Sequence, residues 1–158
     1  MSCAIRQRLP WLACLTVLLL SQLAACGFSG DRRAAERVVE QYFAALDGRD
    51  VDAALALYSP GFFEKMPREE WRRSLEQRQR DLGAVRGQSL LSSGLSKTLG
   101  SKGGTRVQLV YSVNYERGET TETLVLEKSS DGEFRIAEHS IESEGRDLTP
   151  APQETITV

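Results

Sequence analysis

The sequence predicts an α+β domain in which helices come first and pack on one face of an antiparallel sheet. Two observations carry this. Up to residue 82, apolar residues recur at the three- and four-residue spacing of amphipathic helices, and beyond Gly83 they recur at every second position, as on one face of a strand. Helices followed by a run of strands joined by short turns is the pattern of an α+β meander. No internal repeat is seen, and 158 residues correspond to one domain.

The first helix is carried by Ala35, Val38, Val39, Tyr42, Phe43 and Leu46, with Asp31 expected as its cap and Gly48 as its stop. A short second helix is expected after Asp50, with Val51, Ala54, Leu55 and Tyr58 on one face. Pro60 disfavours helical backbone at Ser59 and so ends it. Phe62 and Phe63 are expected in a loop. Pro67 suits the first position of a third helix, whose buried stripe is Trp71, Leu75 and Leu82, with Gly83 as its C-terminal cap.

A first strand is expected within residues 86–98, before a loop or hairpin tip at Gly100–Gly104. Val107, Leu109, Tyr111, Val113 and Tyr115 then mark one face of a strand. Glu116–Glu119 reads as a turn, Thr120–Lys128 as the next strand, Ser130–Gly132 as a second turn, and Phe134–Ile141 as the last strand. From Glu144 the chain, with Pro150 and Pro152, reads as a loose tail.

The first 26 residues have a different composition. Arg6 and Arg8 are their only charges, an apolar run covers Trp11–Leu20, and small residues precede Cys26. That is the anatomy of a secretory signal. The apolar centre is shorter than the roughly 20 residues that a spanning helix needs. All three cysteines, Cys3, Cys14 and Cys26, lie in this segment. Cleavage before Cys26 would leave one cysteine, hence no intrachain disulfide, and 18 basic against 22 acidic residues. Nucleic-acid binding wants a concentrated basic face, and this weakly acidic chain gives it no support.

Leu23-Ala24-Ala25-Cys26 resembles the lipobox of bacterial lipoproteins. The resemblance implies that the Cys26 thiol takes a diacylglyceryl group and that the signal is cut just before it. Cys14 is the poorer match, with bulky Trp11 at the corresponding position. Each buried methylene contributes about 0.8 kcal/mol, so two or three acyl chains anchor stably where one does not. Gly27 rather than Asp follows the cysteine, which by the enterobacterial sorting rule implies an outer-membrane protein facing the periplasm. The organisation expected is a signal peptide over 1–25, a lipidated tether over 26–33, a domain over 34–142 and a tail over 143–158.

Val38–Leu46 and Asp50–Pro60, with the closing Gly132-Glu133-Phe134-Arg135-Ile136, resemble the nuclear transport factor 2-like superfamily. The resemblance spans about 34–142, and the chain resembles in particular the small lipoproteins of unknown function in that superfamily. The superfamily resemblance implies a curved sheet that forms a cone with the helices. It leaves function open, because the superfamily includes isomerases, dehydratases, adaptors and ligand binders.

Ketosteroid-isomerase relatives use a strand-borne aspartate base with a tyrosine and a protonated aspartate. Here Asp31, Asp47, Asp50, Asp52, Asp81, Asp131 and Asp147 all fall in caps, turns, helix ends or the tail. His139 is the single histidine. The pocket candidates are Tyr111, Tyr115 and His139, with Glu138 as a further companion. The reading preferred over a general base is a partly exposed strand histidine beside core tyrosines, because a base needs a geometric partner. Asp47, Asp50 and Asp52 lack the ladder of a calcium loop and suit turn and cap roles. Zinc lacks nitrogen and sulfur ligands here. Arg68, Arg72, Arg73, Arg78 and Arg80 alternate with Glu69, Glu70, Glu76 and Asp81, which predicts a solvated helix with intrahelical pairs.

The expectation is therefore a non-enzymatic envelope lipoprotein, without cofactor, metal or catalytic residue, held to the membrane through Cys26. Its domain would bind an envelope protein or a small apolar ligand. The rivals are a cone-family enzyme using His139 with a tyrosine, and a scaffold that dimerises through its sheet.

Overall fold

The computed structural model describes residues 25–98, 104–143 and 146–147, with the side chains of 25–28 and 146–147 outside the description. Among these residues four helices, α1 (Ala25–Asp47), α2 (Val51–Ala56), α3 (Pro60–Lys65) and α4 (Arg68–Leu82), precede the sheet. Its strands are β1 (Val85–Lys97), β2 (Thr105–Tyr115), β3 (Gly118–Lys128), β4 (Phe134–Ser143) and β5 (Arg146–Asp147). They lie in sequence order, each antiparallel to the next. The fold is the expected α+β arrangement, with N-terminal helices on a curved antiparallel sheet.

Local chemistry explains most of the boundaries. The Asp50 carboxylate accepts from the Ala53 N–H at 2.9 Å and so caps α2. The Ser59 hydroxyl accepts from the Phe62 N–H at 3.3 Å, and Pro60 stands at the first position of α3. Phe62 and Phe63 thus lie in a short helix rather than the expected loop, because the proline that stops α2 also starts α3. Gly83 closes α4 at a φ of +83°, and a Cβ there would collide with Glu116.

Two ends differ from expectation. The first helix covers Ala25–Asp47 rather than beginning after a cap at Asp31, so the backbone of 26–33 is helical. Asp31 is consequently no cap. It lies within α1 and pairs with Lys97 at 2.8 Å and Lys128 at 3.0 Å. At the other end, Arg146–Asp147 forms a short strand against Glu142–Ser143 where a loose tail was expected. The signal segment before Ala25, the hairpin tip over 99–103 and the tail beyond Asp147 lie outside the described residues.

The core lies between the helices and the inner face of the sheet. Val39, Tyr42 and Phe43 of α1 and Trp71 and Leu75 of α4 meet Val107, Leu109, Leu124, Leu126, Ile136 and Ile141. Strand β2 from Val107 to Tyr115 and strand β3 from Thr120 to Leu126 alternate buried positions with half-buried or exposed ones. Strand β4 does not. Val125 pairs with Glu138 and Leu126 with Ile136, so Ala137 is an extra residue, a β-bulge. Continued alternation from Phe134 and Ile136 would turn Glu138 inward and His139 outward. The bulge reverses this, and His139 is buried while Glu138 is exposed.

The bulge also adjoins a second pairing. Ser59 N–H donates to the Ile136 carbonyl at 2.8 Å, and Ile136 N–H donates to the Leu57 carbonyl at 2.9 Å. This short parallel bridge between Tyr58 and Ile136 sets Tyr58 beside His139.

Candidate functional site

Five elements and the segment after α2 send polar side chains into one apolar interior. His139 of β4 is the centre. Its Nδ1 lies 2.6 Å from the Tyr58 hydroxyl and its Nε2 lies 3.0 Å from Glu122 Oε2 of β3. A carboxylate can only accept, so a neutral His139 carries its proton on Nε2 and accepts a hydrogen bond from the Tyr58 hydroxyl at Nδ1. Glu122 Oε1 accepts from the Tyr115 hydroxyl of β2 at 2.6 Å and from Thr120 Oγ1 at 3.3 Å. Arg78 of α4 stands 3.5 Å from that oxygen and donates to the Tyr42 hydroxyl of α1 at 2.6 Å.

The cluster is sealed. The side chains of His139 and Glu122 are 0% exposed, and Arg78 is 5% exposed. Tyr42, Tyr58 and Trp71 stand edge-on or stacked around the imidazole at centroid distances of 5.3, 6.1 and 5.4 Å. Among the described residues Arg78 Nε and Nη1 have no hydrogen-bond partner, and Trp71 Nε1 lies by the Tyr58 hydroxyl without completing a well-formed bond.

Burial works against the Glu122 charge. The nearby Arg78 guanidinium and the hydrogen bonds from His139 and Tyr115 outweigh it and bring the carboxyl down to about 2. Burial also lowers His139 below its ordinary value, more strongly than Glu122 raises it. Burial raises the hydroxyls of Tyr42, Tyr58 and Tyr115. At neutral pH the cluster is therefore one ion pair, Arg78 with Glu122, holding a neutral imidazole between tyrosines.

An unfolded His139 binds a proton more readily than the folded one, so its contribution is complete above its ordinary value of 6.5 and declines as pH falls through that value. Glu122, lowered in the fold, adds a contribution present above 4.5 that is lost as pH falls towards about 2. As His139 is the only histidine, the region just below pH 6.5 isolates its effect. Urea unfolding between pH 5.5 and 7.5 is expected to show stability rising with pH by at most about 1.4 kcal/mol per unit. A falling profile would contradict the burial of a neutral imidazole.

The structure sorts the sequence candidates. It brings His139 and Tyr115 together, but through Glu122 rather than directly. Tyr111 stands apart, its ring edge-on to Phe43 at 5.7 Å and its hydroxyl pushed by burial up to about 12. Glu138 is on the outer face with Arg106, 2.6 Å away, and is no companion of the imidazole. The expectation of a partly exposed histidine is corrected by the bulge at Ala137. Arg78 is not part of a solvated face either. It stands seven residues from Trp71 and three from Leu75, on the buried stripe that runs to Leu82. Arg72, in contrast, pairs with Asp52 and Glu69 at the surface.

Glu122 and Tyr58 were the residues missed as partners. Stepping back by twos from Leu124 and Leu126 reaches Glu122 and Thr120, but the consecutive Leu124-Val125-Leu126 hides that period. The Tyr58 contact depends on a bridge between segments 78 residues apart in the chain and has no local signal.

The described helices and strands thus define a helix-on-sheet domain with an ion pair and a neutral histidine at its centre. The chain belongs to DUF4019, a family of proteins of unknown function, whose profile matches residues 38–139. The matched segment contains every residue of the polar cluster. No curated protein matches the chain. Among the described residues no helix is long and apolar enough to cross a membrane.

Proposed function

We propose that the protein is an envelope lipoprotein, anchored through lipid on Cys26, whose domain acts by binding another protein at its surface rather than by catalysis in its interior. The observation that carries this reading is the sealed polar centre. A general base must lie within hydrogen-bond reach of a substrate proton, directly or through one water. Both ring nitrogens of His139 are already occupied by Tyr58 and Glu122, and the ring is closed off by Tyr42, Tyr58 and Trp71.

The surface offers a better place for recognition. Among the described residues strand β1 lies at the sheet edge and is exposed along most of its 13 residues, and it carries no charge between Arg86 and Lys97. Leu90 and Leu91 are 40% and 58% exposed there. An open edge is a template for an added strand, in which backbone bonds give affinity and alternate side chains give specificity.

One experiment in three arms tests the reading. A photo-crosslinking amino acid replaces Ser93 in the full chain, produced in a bacterium and irradiated in whole cells. The expected result is a discrete adduct in the membrane fraction that falls at least fivefold with Leu91→Lys. Cys26→Ser is expected to abolish both the fatty-acid label and membrane retention. An adduct at twice the chain mass identifies a second copy as the partner. Adducts unaffected by Leu91→Lys would sink the edge as the binding surface, and fatty-acid label retained in Cys26→Ser would sink the anchor.

The enzyme reading has one observation in its favour, the linear Tyr58–His139–Glu122 arrangement. It requires the helices to open, and substrate-dependent exposure of His139 would support it.

A further inference from the structure

We propose that the lipid surface meets one particular end of the domain, the end formed by the start of α1, the close of β1 and the β3–β4 turn, so that the sheet stands end-on to the bilayer. The inference rests on the reading of Cys26 as the lipid site and adds to it an orientation. A flexible tether would let the domain face the membrane in any way. Helix α1, however, runs without a break from Ala25, so Cys26 already belongs to it. From Cys26 to Asp31 the helix rises only about 7.5 Å.

Asp31 then ties that turn to the sheet. One carboxylate oxygen meets Lys97 at the end of β1 and the other meets Lys128 at the end of β3. Those two strand ends lie at the same end of the sheet, because β1 and β3 run in the same direction on either side of β2. Thr98 N–H donates to the Gly104 carbonyl, which holds the end of β1 to the start of β2, and Ser129 N–H donates to the Glu133 carbonyl, which closes the β3–β4 turn. Glu119, near the start of β3, is at the far end. Over the intervening strand the chain advances about 30 Å.

The test uses the full chain, processed in a bacterial envelope and reconstituted in phosphatidylethanolamine–phosphatidylglycerol vesicles containing a lipid with a nickel-chelating headgroup. Cysteine is introduced at Ser130 or at Glu119, both exposed, and labelled with a nitroxide. Nickel is expected to enhance relaxation at Ser130 at least fivefold more than at Glu119. In Asp31→Asn the ratio should fall towards one while the thermal midpoint stays within a few degrees. Equal enhancement at the two sites in the parent chain, or a larger one at Glu119, overturns the orientation, and an unchanged ratio in Asp31→Asn overturns the role of the clamp. The mass of the same sample separates the two layers. An unmodified Cys26 overturns both the anchor and the orientation, whereas a lipidated Cys26 with a reversed ratio overturns the orientation alone.

Discussion

Glu122→Gln is expected to lower the unfolding free energy by about 3–5 kcal/mol, because it leaves the buried Arg78 charge without its counter-ion. The substitution keeps shape and most hydrogen bonds. The amide oxygen can still accept from Tyr115, and the amide nitrogen can donate to His139 if the imidazole moves its proton to Nδ1. What cannot be kept is the charge, and the buried guanidinium cannot lose its proton in compensation. Stability differences of this size are a large part of the about 5–15 kcal/mol typical of a domain. Denaturant titration of Glu122→Gln, Arg78→Met and the double variant measures the effect and its origin. The double variant is expected to be more stable than Glu122→Gln alone, since removing both charges relieves the unpaired one. Additive losses would show that Arg78 and Glu122 do not act as a pair.

Trp71→Ala is expected to cost about 3–5 kcal/mol, the range for removing a large aromatic side chain from a core. Trp71 is fully buried and meets Tyr58, Phe62 and His139 at centroid distances of 5.9, 5.3 and 5.4 Å. The loss has a second consequence. The indole forms part of the wall around the imidazole, so its removal should let water approach and bring the His139 proton equilibrium back towards 6.5. Thermal unfolding and a histidine titration of the same variant check both effects. A stable variant with an unchanged histidine would show that the wall is made elsewhere.

Much of the fold could be read from the sequence because its signals are local. The stripe Ala35–Leu46, the alternation Val107–Tyr115 and the cap at Asp50 each depend on residues within a few positions of one another. The centre was harder to read, because it depends on register across the sheet. One extra residue at Ala137 decides whether His139 or Glu138 faces the interior, and alternation alone cannot show a bulge. Arg78 was assigned to the surface on its charge, although its spacing from Trp71 and Leu75 placed it on the buried stripe. A buried charge is rare enough that charge type usually outweighs spacing, and here spacing was the better guide. Tyr58 reaches His139 only through its bridge to Ile136, a contact that no periodicity encodes.

The hydrogen bonds and the aromatic wall make His139 a sealed, neutral part of the scaffold. Nitrogen-15 NMR of its imidazole tests this most directly. The predicted result is one tautomer, protonated at Nε2 and accepting at Nδ1, that persists at pH 7 and shows no titration step at 6.5. A histidine that titrates at 6.5, with both ring nitrogens exchanging freely with water, would contradict it and restore an accessible pocket at the centre of the domain.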